Sequence, residues 1–187
     1  MPTPPSRELT VRGHRWRWGE RTLVMGVVNA TPDSFSGDGI YGLPPGAAAH
    51  GAERGAAATA AVDRAVAQAV AMVAAGADVL DVGGESTRPG GAAVDAAAEI
   101  ARVVPIVAAI RAALDVPISI DTSKAAVAAA ALAAGADLVN DVWAMTADPD
   151  MGGVVAGAGV PIVLMHNRAA LARVDARIGG HYDDVAY

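Results

Sequence analysis

Residues 76–90, GADVLDVGGESTRPG, hold a helix end, a strand and a polar loop in direct succession. Gly76 suits the position just past a helix, where left-handed backbone closes the last turn. The run 79–82 is of buried-strand type, and Glu85, Ser86, Thr87 and Arg88 stand at or just beyond its carboxyl end. The phrase recurs in Gly135-Ala136-Asp137, which is followed at once by the β-run 138–139 and then by Asn140-Asp141. Pro117 and Pro161, suited to a strand's first residue, introduce the runs 118–120 and 162–165, with Asp121-Thr122-Ser123 and His166-Asn167 beyond them. Short helix-ending phrases, Leu114-Asp115-Val116 and residues 157–160, precede these two prolines. With the run 23–28, capped by Asn29, this makes five buried strands separated by helices, the pattern of parallel βα units.

An α/β barrel and a doubly wound sheet both fit that alternation. In a doubly wound sheet the ligand gathers at one switch point, whereas in a barrel all strand ends face a shared mouth. Here every strand brings polar residues to its carboxyl end, and no Gly-x-Gly-x-x-Gly opens a helix after the first strand. The expected fold is therefore an α/β (β/α)8 TIM barrel, incomplete in this chain, with about five βα units preceded by a short hairpin. The hairpin is read from residues 11–18, which alternate around Gly13, with Trp16 and Trp18 covering one end of the core. Residues 47–75 are alanine-rich, and alanine is the best helix former. Gly51 and Gly55 confine the regular helix to about Thr59 onward and leave 37–55 as a long surface loop.

At 187 residues, the chain is expected to form a single domain over 1–187. A net charge of −6 with only 14 Lys and Arg leaves no basic face to follow a nucleic-acid backbone. There are no cysteines, hence no disulfides, thiolate metal sites or thiol nucleophiles. No signal-peptide segment and no run near the ~20 apolar residues of a membrane span is recognised, so the expectation is a cytoplasmic protein without a membrane partner.

The stretch 24–39, VMGVVNATPDSFSGDG, resembles the first strand and loop of dihydropteroate synthases, which join a pterin to p-aminobenzoate. Residues 81–90, DVGGESTRPG, resemble the family's second-strand loop, and Ile120-Asp121-Thr122-Ser123-Lys124 its third. Val139-Asn140-Asp141 and Leu164-Met165-His166-Asn167 complete five motifs in the family's order. The family pattern goes on to an Asp near a Phe-Gly turn, a Ser-Arg-Lys strand end and a final Arg-x-His, none of which follows Asn167 in this sequence. Somewhat more than half a barrel is expected, and activity is not expected of this chain alone. The first loop departs from the family's Ser-Phe-Ser-Asp-Gly, reading Ser34-Phe35-Ser36-Gly37-Asp38, so its second carboxylate has moved by one position.

The resemblance implies a folate-pathway transferase that condenses 6-hydroxymethyl-7,8-dihydropterin diphosphate with p-aminobenzoate, giving 7,8-dihydropteroate and diphosphate. Diphosphate departs with both electrons of the C–O bond, so the site must neutralise phosphate charge and tolerate a cationic methylene. By resemblance Asn29 is a Mg²⁺ ligand, an oxygen donor of the type that ion prefers. Thr87 and Arg88 form the anion loop, Arg88 supplying a planar fork for phosphate. Asp121 and Asn140 hold the 2-amino-4-oxo edge of the pterin, and Val142 and Met165 give its ring apolar contacts, with plain core packing the equal alternative for either. Phe35 and Pro89 are walls for p-aminobenzoate, and Asp33 is a loop carboxylate that assists the chemistry. Asp121, Asp33 and Arg88 are the residues expected to act on the reacting groups. His166 is read as a hydrogen-bonding group rather than a base, because the aniline nitrogen is already nucleophilic at neutral pH. His14, His50 and His181 have no spacing suited to a shared metal. A homodimer is expected of the full-length protein. The alternatives are a pterin-binding methyltransferase-type barrel, which has no use for the first loop or the anion loop, and a non-catalytic truncated homologue.

Overall fold

The computed structural model describes residues 7–30, 52–85 and 94–166, with backbone alone over 52–55. Strands β1 (Glu8–Val11) and β2 (His14–Arg17) pair antiparallel, joined by Arg12 and Gly13 at φ 49° and 77°. Positive φ at both central residues matches the right-handed twist of the flanking strands. Trp16 lies opposite Leu9 and is 7% exposed, packed with Val11 against Val79 and Leu138. The hairpin thus covers the amino-terminal end of the main sheet. Trp18 does not join it: at 55% exposure it lies beyond the end of β2, where the ladder's alternation no longer fixes its direction.

The main sheet consists of β3 (Met25–Asn29), β4 (Val79–Gly83), β5 (Ile118–Asp121), β6 (Leu138–Asp141) and β7 (Ile162–Leu164), all parallel and in chain order. Doubly wound sheets reverse their strand order at a switch point, and this one does not. The crossover helices are α1 (Ala52–Ala74), α2 (Ala96–Ala113), α3 (Ala125–Ala133) and α4 (Met151–Ala158). Each packs beside the next in sequence, so they form one layer on one face of the sheet.

Val28, Leu80, Val82, Ile118, Ile120 and Val139 fill the space between sheet and helices, together with Val103, Ile106, Val107 and Ile110 of α2. Full burial of such side chains contributes roughly 1.5 to 3 kcal/mol each. Helix α1 buries an alanine stripe, Ala61, Ala65 and Ala69, spaced four apart so that one face lies against the sheet. It begins at Ala52, earlier than expected, because flanking alanines outweigh the modest helix cost of Gly55. Its segment Ala56–Ala74 is also long and apolar enough to cross a membrane by length and composition, contrary to the expectation that no run approaches a span. Asp63 and Arg64 within it and its single buried face of Ala61, Ala65 and Ala69 describe an amphipathic helix lying on the sheet, with most of the segment outside the core.

At the amino-terminal end Arg111 ties three junctions together. Its Nη1 donates to the carbonyls of Leu114 (3.2 Å) and Val116 (2.9 Å), and its Nε donates to that of Gly135 (3.1 Å). Its Nη2 pairs with Asp137, whose Oδ2 also accepts the Ile118 N–H at 2.9 Å. Gly135 sits at φ 112°, and a Cβ there would come 2.9 Å from Arg111 Cγ, so the turn excludes a side chain twice over.

Candidate active site

Strand pairing aligns one residue from each strand at the carboxyl rim. Asn29 pairs with Gly83, Gly83 with Asp121, Asp121 with Asn140, and Asn140 with Val163. The preceding residues Val28, Val82, Ile120 and Val139 belong to the core under the helices, so alternation turns the rim row to the other face. At Gly83 the row carries no side chain, and a Cβ there would lie in ordinary van der Waals contact with Asp121, 3.4 Å from Oδ2. One layer deeper, Val27, Asp81, Ser119 and Leu138 align in the same way.

Two carboxylates on this face are withdrawn from water, Asp81 buried and Asp121 half-buried. Asn140 Nδ2 donates to Asp81 Oδ2 at 3.0 Å. Among the described residues Asp81 Oδ1, Ser119 Oγ and Asp121 Oδ1 are buried without a hydrogen-bond partner. Burial raises the Asp81 pKa, and the hydrogen bond from the Asn140 amide opposes it. Asp121 is pushed up to about 7, first by burial and then by the negative charges of Asp81, Glu99, Asp141 and Glu85. It therefore exchanges a proton near neutrality, where an ordinary aspartate would be fully ionised.

Beside the rim lies a cluster of two acids and a lysine. Lys124 Nζ, just after β5, pairs with Glu85 after β4 and, at 2.6 Å, with the fully buried Glu99 of α2. Burial alone would raise the Glu85 carboxyl, but the bonds from Lys124 and from the Val94 N–H outweigh it and hold its pKa below the usual range. Glu85 Oε1 accepts that N–H at 3.0 Å, which brings residues 85 and 94 together. Helix α2 approaches closely because Gly84 has no side chain: a Cβ would fall 2.7 Å from Val103 Cγ1 and 2.9 Å from Glu99 Cγ. Arg102 Nη1 donates to the Gly84 carbonyl at 2.9 Å and completes the contact.

The turn after β6 is set by Asp141, which is fully buried and accepts the N–H groups of Trp143 (2.9 Å) and Met145 (2.7 Å). These bonds offset the left-handed backbone of Ala144 (φ 51°) and Met145 (φ 61°). The Asp141 carbonyl also accepts from Met165 N at 3.3 Å, joining the ends of β6 and β7.

A family model described as pterin binding enzyme matches residues 53–187. The chain belongs to the pterin-binding enzymes. Among curated members it is 47% identical over 150 residues to dihydropteroate synthase of Clostridium beijerinckii, covering 80% of this chain and 49% of that one. To the Bacillus subtilis dihydropteroate synthase it is 46% identical over 149 residues, covering 80% and 46%. The chain spans about half the length of the curated relatives it matches. Of solved structures, the Yersinia pestis dihydropteroate synthase with a sulfonamide drug superposes with TM-score 0.73 at 37% identity, over 95% of this chain and 56% of that one. The Xanthomonas albilineans dihydropteroate synthase with 4-aminobenzoic acid gives TM-score 0.71 at 37% identity, over 96% and 55%. The fold is thus an incomplete (β/α)8 barrel.

In this member of the family Asn29, Asp121 and Asn140 come together on one rim. Val142 follows β6 and is half-buried, while Met165 and His166 lie exposed beyond β7. Asp33, Phe35, Thr87, Arg88 and Pro89 lie outside the described residues, as do Gly37 and Asp38. The sequence motifs alone assign no role to Asp81, Lys124 or Glu99. Glu99 had a detectable signal, an acid on the stripe Glu99, Val103, Ile106, Val107 and Ile110 that α2 buries.

Proposed function

We propose that the whole protein is a dihydropteroate synthase, acting on 6-hydroxymethyl-7,8-dihydropterin diphosphate and p-aminobenzoate. The observation that carries this is the neighbouring pair Asp121 and Asn140 on the rim, in a chain 47% identical to a dihydropteroate synthase. A carboxylate and an amide side by side match the adjacent donors and acceptors of a 2-amino-4-oxo edge. The C–O bond to diphosphate breaks with its electron pair going to the leaving group. The aniline nitrogen's lone pair forms the new C–N bond, and its proton is then lost. Ionised Asp121 favours the cationic methylene, a stabilisation that grows toward the transition state. Arg88 and Thr87 receive the departing diphosphate, Asp33 assists from the first loop, Phe35 and Pro89 flank p-aminobenzoate, and Val142 and Met165 touch the pterin ring.

Among the described residues no group of three or more His, Cys, Asp or Glu gathers to hold a metal. A Mg²⁺ in this site would rely on Asn29, whose rim position and hard amide oxygen fit it, with water and substrate phosphate as the other ligands. When bound, it supplies positive charge for the leaving diphosphate. We place the enzyme in the cytoplasm as a homodimer. The test is product formation by the whole protein, with calorimetry of diphosphate binding. Binding should require Mg²⁺ and weaken by about 1.5 to 3 kcal/mol in Arg88→Ala. Unchanged affinity in that variant removes the anion-loop role, and absence of dihydropteroate overturns the activity.

A further inference from the structure

We infer that Asp81 is a positioning residue that fixes the Asn140 amide with its carbonyl oxygen turned to the barrel mouth. The two ends of an asparagine amide are nearly the same shape, so packing alone does not choose between them. Here the choice is made from below. Asp81 aligns with Ser119 in the deeper layer, whereas Asn140 aligns with Asp121 on the rim. The 3.0 Å bond from Asn140 Nδ2 to Asp81 Oδ2 therefore draws the amino end inward. An inverted amide would set a carbonyl oxygen against a buried carboxylate oxygen, leaving two acceptors face to face. Asp81 is 4% exposed, so water does not relieve such a clash. The orientation is set by Asp81 in its ionised form, in which both of its oxygens only accept.

The consequence is a selectivity for hydrogen-bond polarity. With Oδ1 outward, Asn140 accepts an N–H from the ligand, beside a carboxylate that also accepts. Resting on the pterin reading above, the group it selects is the exocyclic amino group of the 2-amino-4-oxo edge. A ring bearing an oxygen at that place brings acceptor to acceptor.

Asp81→Asn is the informative variant, since its own amide can turn to serve either orientation of Asn140. Binding of pterin and of its 2-oxo analogue lumazine is measured by calorimetry on the whole protein. The unmutated protein should prefer pterin, and Asp81→Asn should narrow that preference about tenfold, chiefly by admitting lumazine. An unchanged ratio in a variant that melts as the parent does overturns the inference. The ligand-free protein gives a second test by NMR, independent of whether the variant folds. An Asn140 side-chain N–H exchanging at least tenfold more slowly than that of a solvent-exposed asparagine supports the orientation. Exchange at the exposed rate overturns it. If the unmutated protein binds neither ring, the pterin reading has failed, and the Asn140 exchange rate alone decides the role of Asp81.

Discussion

Asp121 stands under two opposed demands, ionised to support a cationic methylene yet buried among Asp81, Glu99, Asp141 and Glu85. Its folded pKa of about 7 lies above the ordinary aspartate value near 3.9. Below the lower value both folded and unfolded chains are protonated. Between the two, the folded state keeps a proton that the unfolded state has lost, so this group's contribution to stability falls as pH rises and levels off above about 7. Asp121→Asn removes that loss. The variant should be more stable than the parent at pH 8, by on the order of 2 to 4 kcal/mol, with the difference shrinking toward pH 4. Thermal unfolding of the whole protein across that range checks it, and a pH-independent difference contradicts it. Turnover should fall more than tenfold in the same variant, equivalent to over about 1.4 kcal/mol in the barrier. Stability gained and activity lost by one substitution separates a chemical role from a structural one.

Helix α2 depends on a buried ion pair and a missing side chain. Lys124→Met leaves Glu99 fully buried without its cation and should cost about 3 to 5 kcal/mol in urea unfolding. Adding Glu99→Leu should restore most of that, because the uncompensated charge and not the lost pair is the larger cost. If the double variant is as unstable as the single one, Glu99 is not held by Lys124 in this way. Gly84→Ala should cost about 1 to 3 kcal/mol, since Val103 and Glu99 would have to yield. The elements themselves were largely legible: Gly76, Gly135, Pro117 and Pro161 punctuate the chain where helices end and strands begin. So was the rim, because Asn29, Asp121 and Asn140 each end an apolar run. Roles that depend on pairing across space were not. Asp81 was visible within its motif, but its hold on Asn140 spans 59 residues and follows from how β4, β5 and β6 align. Glu99 meets Lys124 from 25 residues away, at a distance no local pattern encodes. Trp18 shares its parity with Trp16, yet β2 stops at Arg17 and the parity ceases to bind it.

Across the whole molecule, β3 and β7 each pair on one side only among the described residues. Val24, Met25 and Val27 are exposed at one edge, and Val163, Leu164 and Met165 at the other. Unpaired apolar edges of a parallel sheet invite further strands. A polypeptide of these 187 residues, expressed alone, should self-associate in sedimentation and make no dihydropteroate. A monodisperse, active monomer contradicts that. The far end of the same sheet bears on the rim in another way. Asp137 takes the first amide of β5 while gripping Arg111, and so locks β5 beside β6 at one setting. Strand side chains alternate, so a slip by a single residue there would send Asn140 under the helices and leave Asp121 facing the wrong neighbour. Arg111 stands at the opposite end of the strands from the rim, but it keeps the reading frame in which the site is spelled. Arg111→Leu should therefore imitate a lesion at the mouth, losing pterin discrimination while the helices remain.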